Sequence, residues 1–286
     1  MDNKKIIKTN RGELDYSRKT LIMGILNITP DSFSDGGKYN EIDRAVQRAV
    51  EMEKQGADII DMGAESTRPG SDRVSLEEEK KRLLPVLKEV LAAVSVPISI
   101  DTYKSGTAAA ALEMGASIIN DISGMRFDRK MPETAAYYDA PVVLMHIQGK
   151  PKTMQENPEY RNLIFEIKKY LWTSIEAVRK AGVRDEKIII DPGIGFGKKQ
   201  QHNLQILNRL KSFEELNYPI LIGTSRKSLI KYVTKDEKFG RIFGTAASVT
   251  TAVLNGASIV RVHDVEEIKR ATAMADAVKW EGNNEQ

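Results

Sequence analysis

Cysteine is absent from the 286 residues. That excludes disulfides, thiolate zinc sites and a thiol nucleophile. Long apolar runs are lacking too: none approaches the roughly 20 residues that span a bilayer. The opening stretch MDNKKIIKTNRG carries no apolar signal core, so a cytoplasmic protein is expected. No excess of one charge exists either. The net charge is only +3 and no long basic run stands out, so neither nucleic acid nor a membrane surface is expected as partner. What is present is ordinary for a globular chain, 41% hydrophobic and 29% charged, ample for one closed core.

Short apolar runs alternate with amphipathic stretches from residue 20 onward. The runs are LIMGILN (21–27), ADIIDMG (57–63), PISID (97–101), ASIIND (116–121), PVVLMH (141–146), KIIID (187–191), PILIG (219–223) and ASIVRVH (257–263). Helical patterns lie between them, as in 41–56 and 75–94. Strands apolar on consecutive positions are covered on both faces, the mark of a parallel sheet. Eight such βα units in about 260 residues predict a (β/α)8 TIM barrel. KKIIKT and ELDYS, around an Asn10-Arg11-Gly12 turn, predict a short N-terminal β-hairpin. The expected organisation is a single domain over 1–286, with the hairpin in 1–19 and the barrel in 20–280. QGAD, MGAS and NGAS each place a glycine where a helix stops in the left-handed conformation. A doubly wound sheet would want a glycine-rich fingerprint after its first strand; NITPDSFSD stands there instead.

Active sites of such barrels sit at the C-terminal strand ends. Those ends supply Asn27, Glu65 to Arg68, Asp101, Asn120 with Asp121, His146, Asp191, Lys227, and Arg261 with His263. A single terminal Asp is commonly a helix cap, but here one rim gathers them all. In SIVRVHD, Arg261 and His263 share a strand face, and Arg offers a planar fork to phosphate oxygens. A structural ion pair is the alternative for that arginine. His146 neighbours Met145 in an apolar strand, so only one of the two faces inward, and a structural role is expected for the histidine. His202 is expected at the surface.

GTSRKSLI (223–230) puts small polar groups and two cations at a helix start, which suits a carboxylate or phosphate. DPGIGFGK (191–198) lacks the spacing of a nucleotide phosphate loop. Its glycines either make room near a flat ligand walled by Phe196 or serve only a turn. Asn27, at the tip of the first barrel strand, suits Mg²⁺ carried with substrate phosphates. TPDSFSDGG after it and STRPGSDR after the second strand are so polar that a lid over substrate is expected.

Over roughly residues 20–280 the chain resembles the dihydropteroate synthase family. The segments that carry the resemblance are IMGILNITPDSFSDGG, GADIIDMGAESTRPGS, PISIDTYK, IINDISG, VVLMHIQGKPKTMQ, IIIDPGIGFGK, GTSRKS and GTAASVTTAVLNGASIVRVHD. The resemblance implies condensation of 6-hydroxymethyl-7,8-dihydropterin diphosphate with 4-aminobenzoate, releasing diphosphate. It implies that Asp101, Asn120, Asp191 and Lys227 hold the pterin, with Met145 and Phe196 against its ring. Asn27 would bind Mg²⁺, while Arg261 and His263 grip the diphosphate. Thr67 and Arg68 would lie near the reacting centre. Ser228 and the helix start would receive the aminobenzoate carboxylate, with Phe33 and Asp35 closing over it, and Gly223 would also line the substrate site. A sulfonamide-binding pocket and a homodimer are implied as well. Departures are few: Ala64 stands where the family commonly has Gly, and Ile147-Gln148 and Met125-Arg126 also differ. Two other functions fit the residues less well. A methyltetrahydrofolate:corrinoid methyltransferase needs no Arg261/His263 pair, and a silent pterin-binding paralogue would have lost loop or anion-site residues.

Overall fold

The computed structural model of the chain describes residues 5–28, 38–236 and 240–281. Phe33 and Asp35 lie outside the described residues. β1 (Ile6–Thr9) and β2 (Gly12–Asp15) form an antiparallel hairpin. Eight parallel strands then close into a barrel in sequence order: β3 (Leu21–Asn27), β4 (Ile59–Gly63), β5 (Ile98–Asp101), β6 (Ile118–Asp121), β7 (Val142–Met145), β8 (Ile188–Asp191), β9 (Ile220–Ile222) and β10 (Ala257–Val262). The outer layer comprises α1 (Lys38–Gln55), α2 (Leu76–Ala93), α3 (Ser105–Glu113), α4 (Met131–Tyr137), α5 (Leu163–Ala181), α6 (Gln200–Asn208), α7 (Ser228–Thr234), α8 (Gly240–Leu254) and α9 (Val265–Lys279). The expected barrel and hairpin are both there.

Local chemistry explains the helix limits. Ser75 accepts a bond from the Glu78 N–H at the start of α2, and Glu77, Glu78 and Glu79 sit on its positive first turn. Asn162 caps α5 in the same way. Gly56, Gly115 and Gly256 follow α1, α3 and α8 with φ of 94°, 112° and 106°, as the repeated connector predicted.

Strand alternation divides the core in two. Even-numbered residues of β3, such as Ile22 and Leu26, pack outward against the helices with Ile60, Ile100, Ile119, Leu144, Ile190, Ile222 and Val260. Leu21, Met23, Ile59, Ile118, Val143, Ile189, Leu221 and Ile259 fill the barrel interior. Ile7 and Leu14 of the hairpin join this inner set, so the hairpin plugs the N-terminal end. Its turn is fastened there: Arg11 Nη2 donates to the carbonyls of Leu91 (3.0 Å) and Val94 (2.5 Å), and Ser117 Oγ donates to Asn10 Oδ1 at 2.5 Å. The same alternation, carried two residues further along each strand, decides what faces the open end.

Candidate active site

Two residues beyond the apolar interior layer, on the same faces, stand Asp61, Asp101, Asn120, Met145, Asp191, Gly223 and Arg261. Strand pairing sets neighbours side by side: Asp61 with Ser99, Asp101 with Asn120, and Met145 with Asp191. The C-terminal mouth is therefore a ring of carboxylates and amides around one guanidinium. Arg261 Nε donates to Asp61 Oδ2 at 2.6 Å, and its Nη2 donates to Asp101 Oδ2 at 2.8 Å. Asn120 Nδ2 donates to the same Asp61 oxygen at 3.1 Å. Asp61 has no exposed surface. Its other oxygen, Oδ1, and Ser99 Oγ are buried without a hydrogen-bond partner among the described residues. Orphaned acceptors on an inner wall suit a ligand edge rich in N–H donors.

Burial is the main force on the titrating groups. It pushes the Asp101 carboxyl upward, partly offset by Arg261 and reinforced by Asp61. Burial likewise raises Asp191, against the pull of Lys227, and lowers Lys227 to about 8. Arg261 keeps its charge: burial disfavours it, but Asp61 and Asp101 more than compensate. His263 is held down to about 4 by burial and by the cations Arg226, Arg261 and Arg68 around it. Its Nδ1 lies 3.0 Å from Ser225 Oγ, and the same oxygen accepts from the His263 N–H at 3.2 Å.

The segment 191–198 is built around close backbone approaches. A Cβ on Gly193 would lie 2.0 Å from the His146 carbonyl oxygen, and one on Gly197 would lie 2.4 Å from that of Gln148. These two glycines, at φ 72° and 62°, serve the turn and its packing on the segment that follows β7. Asp191 accepts from the Gly193 N–H at 2.7 Å. Lys227 donates to the Ile194 carbonyl and sits 4.8 Å from the centre of the Phe196 ring. Beneath them Lys198 is fully buried, its Nζ 2.8 Å from His146 Nδ1 and 2.9 Å from the Phe196 carbonyl. Burial and this ammonium keep His146 well below the usual imidazole range, in the structural role expected of it. His202 is half-buried rather than on the open surface. Its Nδ1 accepts from the Lys199 N–H at the start of α6, and its ring meets Tyr160 edge-on.

Of the residues singled out from sequence, the mouth thus gathers Asp101, Asn120, Met145, Asp191, Phe196, Gly223, Lys227 and Arg261. Asn27 ends β3 on the inward parity, opposite Gly63. Thr67 and Arg68 lie on the loop after β4, and Arg68 is near enough to weigh on His263. Ser228 opens α7 and its hydroxyl accepts from Gln200 at 3.1 Å. Asp121 points to the opposite side of β6 and accepts from Ser123, closing the next turn. Asp61 and Lys198 were missed. Asp61 announces itself only as a carboxylate inside an apolar strand, sharing the parity of Ile59; Lys198 carries no signal, because surface lysine is the ordinary expectation.

The family model described as "Pterin binding enzyme" matches residues 23–263. A dihydropteroate synthase of Clostridium beijerinckii is 48% identical over 273 residues, covering 95% of this chain and 99% of that one. A crystal structure of the Clostridium difficile dihydropteroate synthase in the presence of pteroic acid superposes with a TM-score of 0.88. It is 46% identical and covers 93% of this chain and 98% of its own. The Xanthomonas albilineans dihydropteroate synthase with 4-aminobenzoic acid gives a TM-score of 0.90 at 37% identity, covering 97% and 99%. With a match spanning nearly the whole barrel and this identity over almost full length, the chain belongs to the pterin-binding enzyme family, on its dihydropteroate synthase branch.

Proposed function

We propose that the chain is a transferase of folate synthesis that joins 6-hydroxymethyl-7,8-dihydropterin diphosphate to 4-aminobenzoate and releases diphosphate. The observation that carries this reading is the buried ring of Asp61, Asp101, Asn120 and Asp191 at the barrel mouth. It sits beside Arg261 and holds an acceptor, Asp61 Oδ1, that no described residue satisfies. A pterin presents a row of N–H donors, which buried carboxylates accept strongly. Met145 and Phe196 flank the ring face, and Lys227 reaches its carbonyl side. Arg261 and His263 meet the diphosphate, while Gly223, Ser228 and the start of α7 receive the aminobenzoate carboxylate.

No side chain is needed as a covalent nucleophile. The electron-rich pterin helps expel diphosphate from its CH2 group, and the arylamine attacks the resulting cationic carbon. Arg261 stabilises charge on the departing oxygens, and the pterin-side carboxylates stabilise the cation. A Mg²⁺ ion would accompany the diphosphate. Asn27, on the inward parity at the tip of β3, would help hold that cation, which would neutralise charge on the leaving diphosphate. Thr67 and Arg68 approach from their loop and exclude water. The same reading includes a cytoplasmic location and a homodimer. Supporting the latter are Phe243, Leu254, Met274 and Val278, exposed on the packed pair α8 and α9.

Measuring diphosphate release with pterin diphosphate and Mg²⁺, with and without 4-aminobenzoate, tests the reaction. Release that requires the aminobenzoate and matches dihydropteroate formed is expected. Binding of the pterin diphosphate without any release would make the chain a silent binder.

A further inference from the structure

The loop joining β4 to α2, residues 64–75, carries Thr67 and Arg68. Its two ends meet on one side chain. Near the start, Glu65 accepts a hydrogen bond from the Tyr103 hydroxyl. Near the finish, the Arg73 guanidinium lies over the Tyr103 ring, 5.4 Å from its centre. Only 6% of Tyr103 is exposed. Its ring meets Phe127 edge-on at 5.5 Å and packs in a small apolar cluster with Ile122, Met145 and Phe196. That cluster is the apolar wall of the pterin site.

The root of the loop is fastened further. Lys104, next to Tyr103, pairs with both Glu65 and Glu79, all three being buried. Glu79 also accepts from Thr107 Oγ1 at 3.0 Å. Two carboxylates thus share one ammonium, and each takes an additional hydroxyl donor. Burial and the two carboxylates keep the Tyr103 hydroxyl protonated, so it remains a donor. By contrast the loop's middle is held lightly. Ser71 Oγ donates to the Ser66 and Arg68 carbonyls, and exposed Lys152 pairs with Asp72. Surface pairs of that kind contribute little.

We propose that Tyr103 is a positioning residue that staples both ends of this loop to the pterin wall, so that contact with the ring is transmitted to Thr67 and Arg68. The role of the loop in the reaction rests on the function proposed above; the staple itself does not. Tyr103→Phe keeps the ring and removes only the donor to Glu65, and Arg73→Gln releases the other end at an exposed position.

Hydrogen exchange of peptides covering 64–75 tests the staple, with β8 peptides as internal reference. Both variants are expected to exchange faster in 64–75 and unchanged in β8. A charged-acceptor hydrogen bond of this type predicts about tenfold faster local exchange for Tyr103→Phe. In kinetics, kcat/KM for 4-aminobenzoate should fall about tenfold, with KM for pterin diphosphate within about twofold. Unchanged exchange in 64–75 for both variants overturns the proposal, as does faster exchange spread equally through β8. Faster loop exchange with unaltered turnover upholds the staple and removes the loop from the reaction instead.

Discussion

The two ends of the barrel are built from the same eight strands and the same inward faces, yet they do opposite things. At the N-terminal end Ile7 and Leu14 of the hairpin close an apolar layer of Leu21, Ile59, Ile118 and Ile259. Two residues along the same strands, at the other end, Asp61, Asp101, Asn120, Asp191 and Arg261 crowd together. Burying such groups costs free energy unless they are paired, and Asp61 Oδ1 and Ser99 Oγ have no partner among the described residues. Stability therefore resides at the plugged end, and the open end is kept polar at its expense. This separation within one interior is what a TIM barrel permits.

That contrast can be broken most directly at Arg261. Arg261→Met is expected to cut kcat/KM about a hundred- to a thousandfold, as for loss of a preorganised donor to developing charge; steady-state diphosphate release measures it. A loss under threefold would leave the mouth without its central cation role. The opposite end gives the converse test. Ile7→Ala should destabilise by about 2–5 kcal/mol through the cavity it opens, with kcat within about twofold of the parent. Urea unfolding and initial rates check both parts, and a fall in kcat in proportion to stability would dissolve the distinction.

Lys227→Met sharpens it further. Pterin affinity, measured by calorimetry, should drop about tenfold or more with the loss of a charged hydrogen-bond donor. The lysine is depressed to about 8 in the fold, below its ordinary value near 10.4. Between these two pH values the unfolded chain binds the extra proton, so stability rises with pH there. The parent should gain stability relative to Lys227→Met over that range and run parallel to it below pH 8. The smallest effect belongs to His263, whose folded value is about 4 against an ordinary value near 6.5. Its contribution is present above pH 6.5 and lost as pH falls towards 4. His263→Gln should flatten that part of the acid limb in unfolding curves taken at successive pH values; parallel curves for parent and variant would refute the depressed imidazole.

Much of this was legible in the residue pattern. The apolar runs at regular spacing and the Gly-Ala connectors marked eight parallel strands, and the Asp and Arg residues at the strand ends marked the polar rim. Less accessible was Asp61. In ADIIDMG only the parity shared with Ile59 separates it from Asp58, whose carboxylate accepts from Lys19 and from the Ile22 N–H. The glycines of 191–198 are equally ambiguous in sequence, because the carbonyls of His146 and Gln148 that demand them come from another segment. Lys198 was silent because its burial beside His146, which follows β7, is set by the fold and not by its neighbours in the chain.

The order of residues by itself determined the strand periodicity, the helix stops and the inward parity of each strand tip, because these depend on neighbours one to four positions apart. Tertiary structure alone decided which tips face one another, which acceptors stay unpaired and which side chains fasten the loop after β4. Tyr103 follows β5, in a different segment from the loop that holds Glu65 and Arg73, and only the pairing of β4 with β5 brings them within bonding reach.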